Sequence, residues 1–532
     1  MDPQSEYGFQ YPFGEVCCEN EIEVLQEHYS EFFYDKSRFN EEAIDPEVYL
    51  IVGRRGSGKT SLTKFFGFQK QIKNAHNIDV DEPVIYDSII HRIAHRNYRS
   101  PDLAVNDVRK IWEYLIWSLI FHEYRDYDPL LENAGFFTGK KGKISIFIGE
   151  LLKHVLTKYL DDSGTVADVL SEVLADPVFT RAKEKVVEFT RKEPVIIAID
   201  TFERYDRNND AMMAVTAALI QCASNFNITH ARKGIHIKAF VSAEIFPYIA
   251  EGNIPNTTKF IREPLYMLWR PKDLIRLVSW RFYKSLANSG YSLPFEEPDW
   301  DNFDEVRARM WTPFFGESIH NLNGQMEESL PYILRHTQMR PRQLVILCNQ
   351  IARMAQKSGK FPYFKEINIA RAISESEALL AKEVLNSYDL IYPGVSEIVQ
   401  ALGSAPANFP GNYLDQVAKK TARAWLEGNY SVSAFRRLVA ELGIVGRVRT
   451  KDEKAGIIEA DFEYAMSEPL ILNDTDECVI HPMFYRKLQI QRNPAFIVLP
   501  FPDHEDYQEI HNRNRPAANR TTPIKRGRQF RQ

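Results

Sequence analysis

Cysteine is scarce in this chain: five in 532 residues, at positions 17, 18, 222, 348 and 478, none in C-x-x-C spacing. The scarcity argues against a zinc site and a disulfide framework and fits the reducing cytoplasm. Long apolar runs are missing as well. The nearest, Tyr114 to Phe121, has eight residues, well short of the ~18 that a membrane-crossing helix needs, and reads as a buried helix segment; no membrane association is expected. The opening residues, Met1-Asp2-Pro3-Gln4-Ser5-Glu6, have neither the basic nor the apolar region of a secretory signal. Internal repeats and low-complexity tracts are absent. Acids are missing from residues 511–532, which hold Arg513, Arg515, Arg520, Lys525, Arg526, Arg528 and Arg531. This segment carries +7 against −6 for the whole chain, which leaves −13 on residues 1–510. It has the composition of a disordered tail, read either as a solvated terminus or as an arm for nucleic-acid phosphates.

What is present begins with an ordinary globular composition, 44% hydrophobic and 26% charged, at a length that suggests roughly three or four domains. Residues 53–60 read Gly-Arg-Arg-Gly-Ser-Gly-Lys-Thr, a complete G-x-x-x-x-G-K-[ST] phosphate loop. The apolar run Val48 to Val52 precedes it as a buried strand, and Ser61 to Phe66 follows as the opening of a helix, the context the motif requires. Gly53, Arg55, Gly56, Ser57, Gly58 and Ser61 line the expected nucleotide contacts, because glycines let backbone N–H groups close on phosphate oxygens at a helix N-terminus. Lys59 is placed to reach the β- and γ-phosphates, and the Thr60 hydroxyl to ligate Mg²⁺.

Such a loop needs a second acidic element. Val195-Ile196-Ile197-Ala198-Ile199-Asp200 supplies an apolar strand ending in an acid, and Asp200 is the expected Mg²⁺ partner. The next residue is Thr201, not a glutamate. Glu203 is therefore the candidate for orienting the attacking water, with Asp206 in reserve, and slow hydrolysis is expected. Ile235 to Val241 is a further strand, ending in Ser242, a polar residue suited to sensing the γ-phosphate. Pro264 to Trp269 is another, and just before it stand Lys259 and Arg262, at a place that resembles the one where many AAA+-like proteins carry an arginine finger for the neighbouring subunit. Val84 to Ile90 completes five parallel strands with helical crossovers, an α/β fold. The 141-residue interval between Lys59 and Asp200 contains a helical insertion, including a helix from Ser100-Pro101-Asp102 to about Tyr124, with helical pattern at 145–160 and 165–190.

The divisions expected are an N-terminal segment 1–46, a phosphate-loop core 47–270 with its helical insertion at about 100–190, a helical lid 271–385, a winged-helix-like region 386–495 and a basic tail 496–532. The lid opens with an amphipathic helix at 273–286, followed by a loop-rich stretch 290–326. His336 to Leu347 enters another helix whose first turn carries Arg340 and Arg342, both candidates for a second γ-phosphate sensor. In 386–490, helical patterns at 395–402, 412–426 and 433–442 end at Gly443. They precede a hairpin around Asp452–Gly456 and a second, Leu470–Leu472 with Cys478–Ile480. Arg436, Arg437, Arg447, Arg449 and Lys451 cluster there as candidate contacts to duplex phosphates, or as a solvated face.

The Gly-Arg-Arg-Gly-Ser-Gly-Lys-Thr loop, the Ile199-Asp200-x-x-Glu203-Arg204 stretch, Arg340-Pro341-Arg342 and the C-terminal region together resemble the prokaryotic STAND and AAA+-like P-loop ATPases, over roughly residues 40–490. The stretch after the second strand is similar to the Asp-Asp-Leu-Asp-Arg segment of KAP-type ATPases. Thr201 replaces the second Asp and Glu203 the later one, so the likeness does not carry over a catalytic acid. The resemblance implies an ATP- and Mg²⁺-dependent switch that assembles as a homo-oligomer and controls a separate effector such as a nuclease, as in bacterial anti-phage defence. A second reading is an ATP-dependent DNA-binding protein of the initiator or transposition-regulator kind.

Overall fold

The structure, a computed structural model, describes residues 9–80, 101–134, parts of 146–154, 166–200, 210–252, 254, 257–293, 295–426, 429–466, 468–492 and 496–500. The chain forms two compact units, one built from Cys17–Leu268 with Ser387–Pro393, the other from Met1–Val16, Trp269–Asn386 and Gly394–Gln532. Residues 17–46 therefore share a unit with the phosphate loop, and residues 271–386 share the other with those that follow Pro393.

The first unit is built on a five-stranded, all-parallel sheet: β1 (Leu50–Gly53), β2 (His76–Val80), β3 (Val195–Asp200), β4 (Ile235–Ser242) and β5 (Leu265–Tyr266), in the order β2-β3-β4-β1-β5. β3 and β4 are buried along their whole lengths, as parallel strands covered on both faces must be. Five parallel strands are described, as many as expected. The strand beside β3 is His76–Val80, whereas 84–90 lies outside the described residues. His76-Asn77-Ile78-Asp79-Val80 alternates polar with apolar, and only Ile78 and Val80 are buried. An edge strand with so few apolar residues gives little signal in sequence.

Four helices matter for the sheet: α1 (Lys59–Phe68), α2 (Pro101–Tyr124), α3 (Pro177–Thr190) and α4 (Asp210–His230). Residues Ile111, Trp112, Leu115, Ile116, Leu119 and Ile120 of α2 are buried as its periodicity predicts. α4 packs along α2 and against β4, and the Trp112 indole donates to the Val215 carbonyl at 3.2 Å. By length and composition, Asp210–Lys233 could cross a membrane, but 83% of that window is buried inside the unit. It is longer than Tyr114–Phe121. Its apolar residues lie all round, so it is a core helix without an amphipathic stripe.

In the second unit, α5 (Pro271–Asn288), α6 (Pro341–Lys357) and α7 (Ile369–Tyr388) are the long helices; the last two residues of α7 belong to the first unit. The stretch 290–326, expected to be loop, contains helical turns from Phe303 to Phe315 and a strand, β6 (Ser318–His320), that pairs antiparallel with β7 (Met326–Glu328). These elements are too short to show a period. Then follow α8 (Val395–Gln400), β8 (Asn408–Pro410), α9 (Tyr413–Thr421), α10 (Val432–Glu441), β9 (Val445–Asp452), β10 (Ile457–Asp461), β11 (Glu477–Ile480) and β12 (Ile497–Leu499). Gly443 ends α10 with φ of 63°, the left-handed C-terminal position that favours glycine. β9 and β10 form the expected hairpin. The second hairpin does not form: Leu470–Leu472 is not a strand, and β11 pairs with β8 and β9 instead. A distant strand supplies the partner that the neighbouring sequence was expected to give.

Candidate nucleotide site

The phosphate loop leaves the C-terminal end of β1. A Cβ on Gly53 would lie 2.4 Å from the Ser57 hydroxyl oxygen, so a side chain there would force Ser57 to move. Gly58, with φ of 96°, stands immediately before α1 in the left-handed region that glycine adopts without a steric cost. Lys59 is buried, and its ammonium donates to the Gly53 carbonyl at 3.0 Å and the Arg54 carbonyl at 3.4 Å. The side chain therefore crosses the loop, and its head is held by the loop's own carbonyls.

The strand order brings the remaining pieces to this end of the sheet. β4 lies between β1 and β3, with Ser242 level with Gly53 and Phe240 level with Asp200. The Thr60 hydroxyl donates to a carboxylate oxygen of Asp200 at 3.0 Å, across 140 positions of sequence. A hydroxyl and a carboxylate held together at the start of α1 are the hard oxygen ligands Mg²⁺ takes, so these residues fit that ion. Ser242 is buried beside the loop. Its hydroxyl donates to Glu244, whose other carboxylate oxygen accepts from the Arg55 peptide N–H at 3.0 Å. Sequence reasoning passed over Glu244. Its signal was a carboxylate two residues beyond the polar end of a buried strand. The first unit also includes Tyr388, whose hydroxyl accepts from Arg54 at 3.4 Å, and Tyr392, whose hydroxyl is 3.0 Å from that of Tyr248.

Glu203 and Asp206 lie outside the described residues. Arg262 is exposed, and its peptide N–H donates to the Tyr49 hydroxyl at 2.9 Å. Tyr49 precedes β1, so Arg262 and Lys259 stand toward the end of the sheet opposite the loop. Arg340 and Arg342 belong to the second unit. There Arg340 is buried and donates to the Gln338 side chain at 2.9 Å, while Arg342 pairs with Glu383 at 3.5 Å.

The cations expected to face duplex phosphates have intramolecular carboxylate partners. Arg436 bonds Asp415 at 2.6 Å and also reaches Asp474, and Arg437 forks onto Glu463 at 2.6 and 2.7 Å. Arg447 and Arg449 share Asp461 at 3.6 and 4.0 Å, and Lys451 meets Glu477 at 2.7 Å. The acids come from α9, β10, β11 and connecting segments distant in sequence from the arginines of α10. All five cysteines are free thiols, and no group of three or more metal-ligating side chains occurs among the described residues. No protein-family model, curated protein or solved structure matches the chain.

Proposed function

We propose that this protein binds ATP·Mg²⁺ at the 53–60 loop, hydrolyses it slowly, and works as an oligomerising switch that controls a partner effector. The observation that carries the reading is the Thr60–Asp200 hydrogen bond of 3.0 Å next to the loop-crossing Lys59. Bound Mg²⁺ would supply neutralisation of the developing phosphoryl charge. Thr60 and Asp200 would hold it, Lys59 would orient the β- and γ-phosphates, and backbone N–H groups of Gly56 to Ser61 would cradle the rest. The strand order β5-β1-β4-β3-β2 supports the AAA+-like reading, because it seats Ser242 between the loop strand and the acid strand.

Residues 271–385 are read as a helical lid. The run α8-β8-α9-α10 followed by the β9–β10 hairpin is read as a winged-helix-like module for protein contacts. Arg262, exposed and far from its own loop, suits a role in a neighbour's site, with Lys259 as the other candidate, and Arg340 and Arg342 remain candidate sensors. The cytoplasm, a homo-oligomer and an effector such as a nuclease in anti-phage defence complete the reading by resemblance. The DNA-binding alternative has less support, since the five candidate cations of the module are already paired.

The test is titration of the full chain with Mg·ATP, alongside Lys59→Ala. Saturable binding, weakened about a hundredfold or more in the variant, is expected from the loss of a charge-assisted phosphate contact. Equal affinity in both proteins refutes the assignment of the loop.

A further inference from the structure

Glu244 lies in the turn that follows β4 and is 3% exposed. A buried carboxylate is costly unless hydrogen-bonded, and here both oxygens have partners. One accepts from the Arg55 peptide N–H at 3.0 Å, the other from the Ser242 hydroxyl. Backbone pairing continues the connection, with the Ala243 N–H donating to the Gly53 carbonyl at 3.1 Å. Arg55 follows directly on Gly53 and Arg54, whose carbonyls receive the Lys59 ammonium. The carboxylate therefore borders the part of the loop where the lysine head meets β- and γ-phosphates.

A serine hydroxyl has one proton. Committed to Glu244, that proton is not free for a phosphate oxygen, and the Ser242 oxygen is left to accept from other donors in the site. We propose that Glu244 is a positioning residue of the nucleotide site: one oxygen fixes the Arg55 turn of the loop, and the other sets the direction of the Ser242 hydroxyl. The assignment rests on the nucleotide-binding reading above and goes beyond it, because it gives the site a second carboxylate that the phosphate-loop motif does not contain.

The two oxygens can be separated by substitution. Glu244→Gln keeps a carbonyl acceptor for the Arg55 N–H but presents an amide donor to Ser242, which reverses the hydroxyl. Glu244→Ala removes both contacts. Mg·ATP affinity and single-turnover hydrolysis are measured on the full chain for wild type, both variants, Ser242→Ala and the Ser242→Ala/Glu244→Gln pair. Glu244→Ala is expected to weaken Mg·ATP binding about tenfold, and Glu244→Gln to restore it to within about threefold of wild type. Glu244→Gln should slow hydrolysis by about tenfold, with Ser242→Ala adding little on top, since the two act as one unit.

Glu244→Gln binding as poorly as Glu244→Ala, or both binding as wild type, overturns the assignment, as do rate effects of Ser242→Ala and Glu244→Gln that multiply independently. Should Glu244→Ala not fold, the Glu244→Gln and Ser242→Ala comparison decides; should turnover be undetectable, the two affinities decide. A wild type that does not bind Mg·ATP, or a Lys59→Ala that binds equally well, refutes the nucleotide-binding reading itself.

Discussion

At the residue scale the loop is constrained by single atoms. A methyl group on Gly53 would meet the Ser57 hydroxyl oxygen at 2.4 Å and the Lys59 side chain at 3.2 Å. Gly53→Ala is expected to displace Ser57 and Lys59 together and to cost about 1–3 kcal/mol of strain in an already packed turn. Mg·ATP titration and thermal melting should register it as lost affinity with a modest fall in Tm, and unchanged affinity would show that the loop tolerates the shift. Glu203 presents a different case. Its role derives from sequence alone, three positions after Asp200, and the expected result for Glu203→Gln is retained ATP binding with slowed single-turnover hydrolysis. Unchanged turnover would remove it from the site and leave the water-orienting role to another acid.

Elements impose a second kind of constraint, visible in β4. It is the sheet's central strand, and it carries two buried bases. The ammonium of Lys238 donates to the Asp45 and Val48 carbonyls at 2.6 and 2.5 Å, pinning the segment that leads into β1. Burial lowers its pKa to about 7, and burial with the neighbouring Lys238 charge lowers that of His236 to about 4. Both groups bind protons more weakly folded than unfolded. The unfolded chain thus holds more protons from about pH 4 to 6.5 through His236, and from about pH 7 to 10.5 through Lys238. Stability contributed by these groups therefore rises with pH through both windows. Melting temperature should climb between pH 7 and 9 in wild type, and Lys238→Met should flatten that slope even if its absolute Tm is lower. An unchanged slope in the variant would assign the dependence elsewhere.

For the whole molecule, the predictions concern assembly and charge. Light scattering with and without ATP·Mg²⁺ should show a nucleotide-dependent rise in mass, lost in Arg262→Ala, if that exposed guanidinium completes a neighbour's site. A monomer under every condition would rule out the oligomerising switch. The charge asymmetry makes a separate forecast. With Arg436, Arg437, Arg447, Arg449 and Lys451 paired to acids, duplex DNA binding is expected to reside in the tail. It should weaken steeply with salt and vanish on deleting residues 511–532. DNA binding that survives the deletion would return the module to consideration.

The sequence by itself determined the phosphate loop, the acid strand and the long amphipathic helices, because each is written in contiguous residues: eight for the loop, six for Val195–Asp200, a repeating apolar face for α2 and α5. The tertiary structure decided what depends on distant neighbours. It chose His76–Val80 as the edge strand, because a partner's hydrogen bonds can hold a segment whose own pattern is weak. It made α4 a core helix, since an all-apolar helix reads alike in a membrane and in a protein interior. It joined Thr60 to Asp200 and folded Glu244 onto Arg55, across 140 and 189 positions. It also gave Arg436 and Arg437 acids from other segments. Sequence shows where a charge lies along the chain, whereas its availability depends on which opposite charge folds against it.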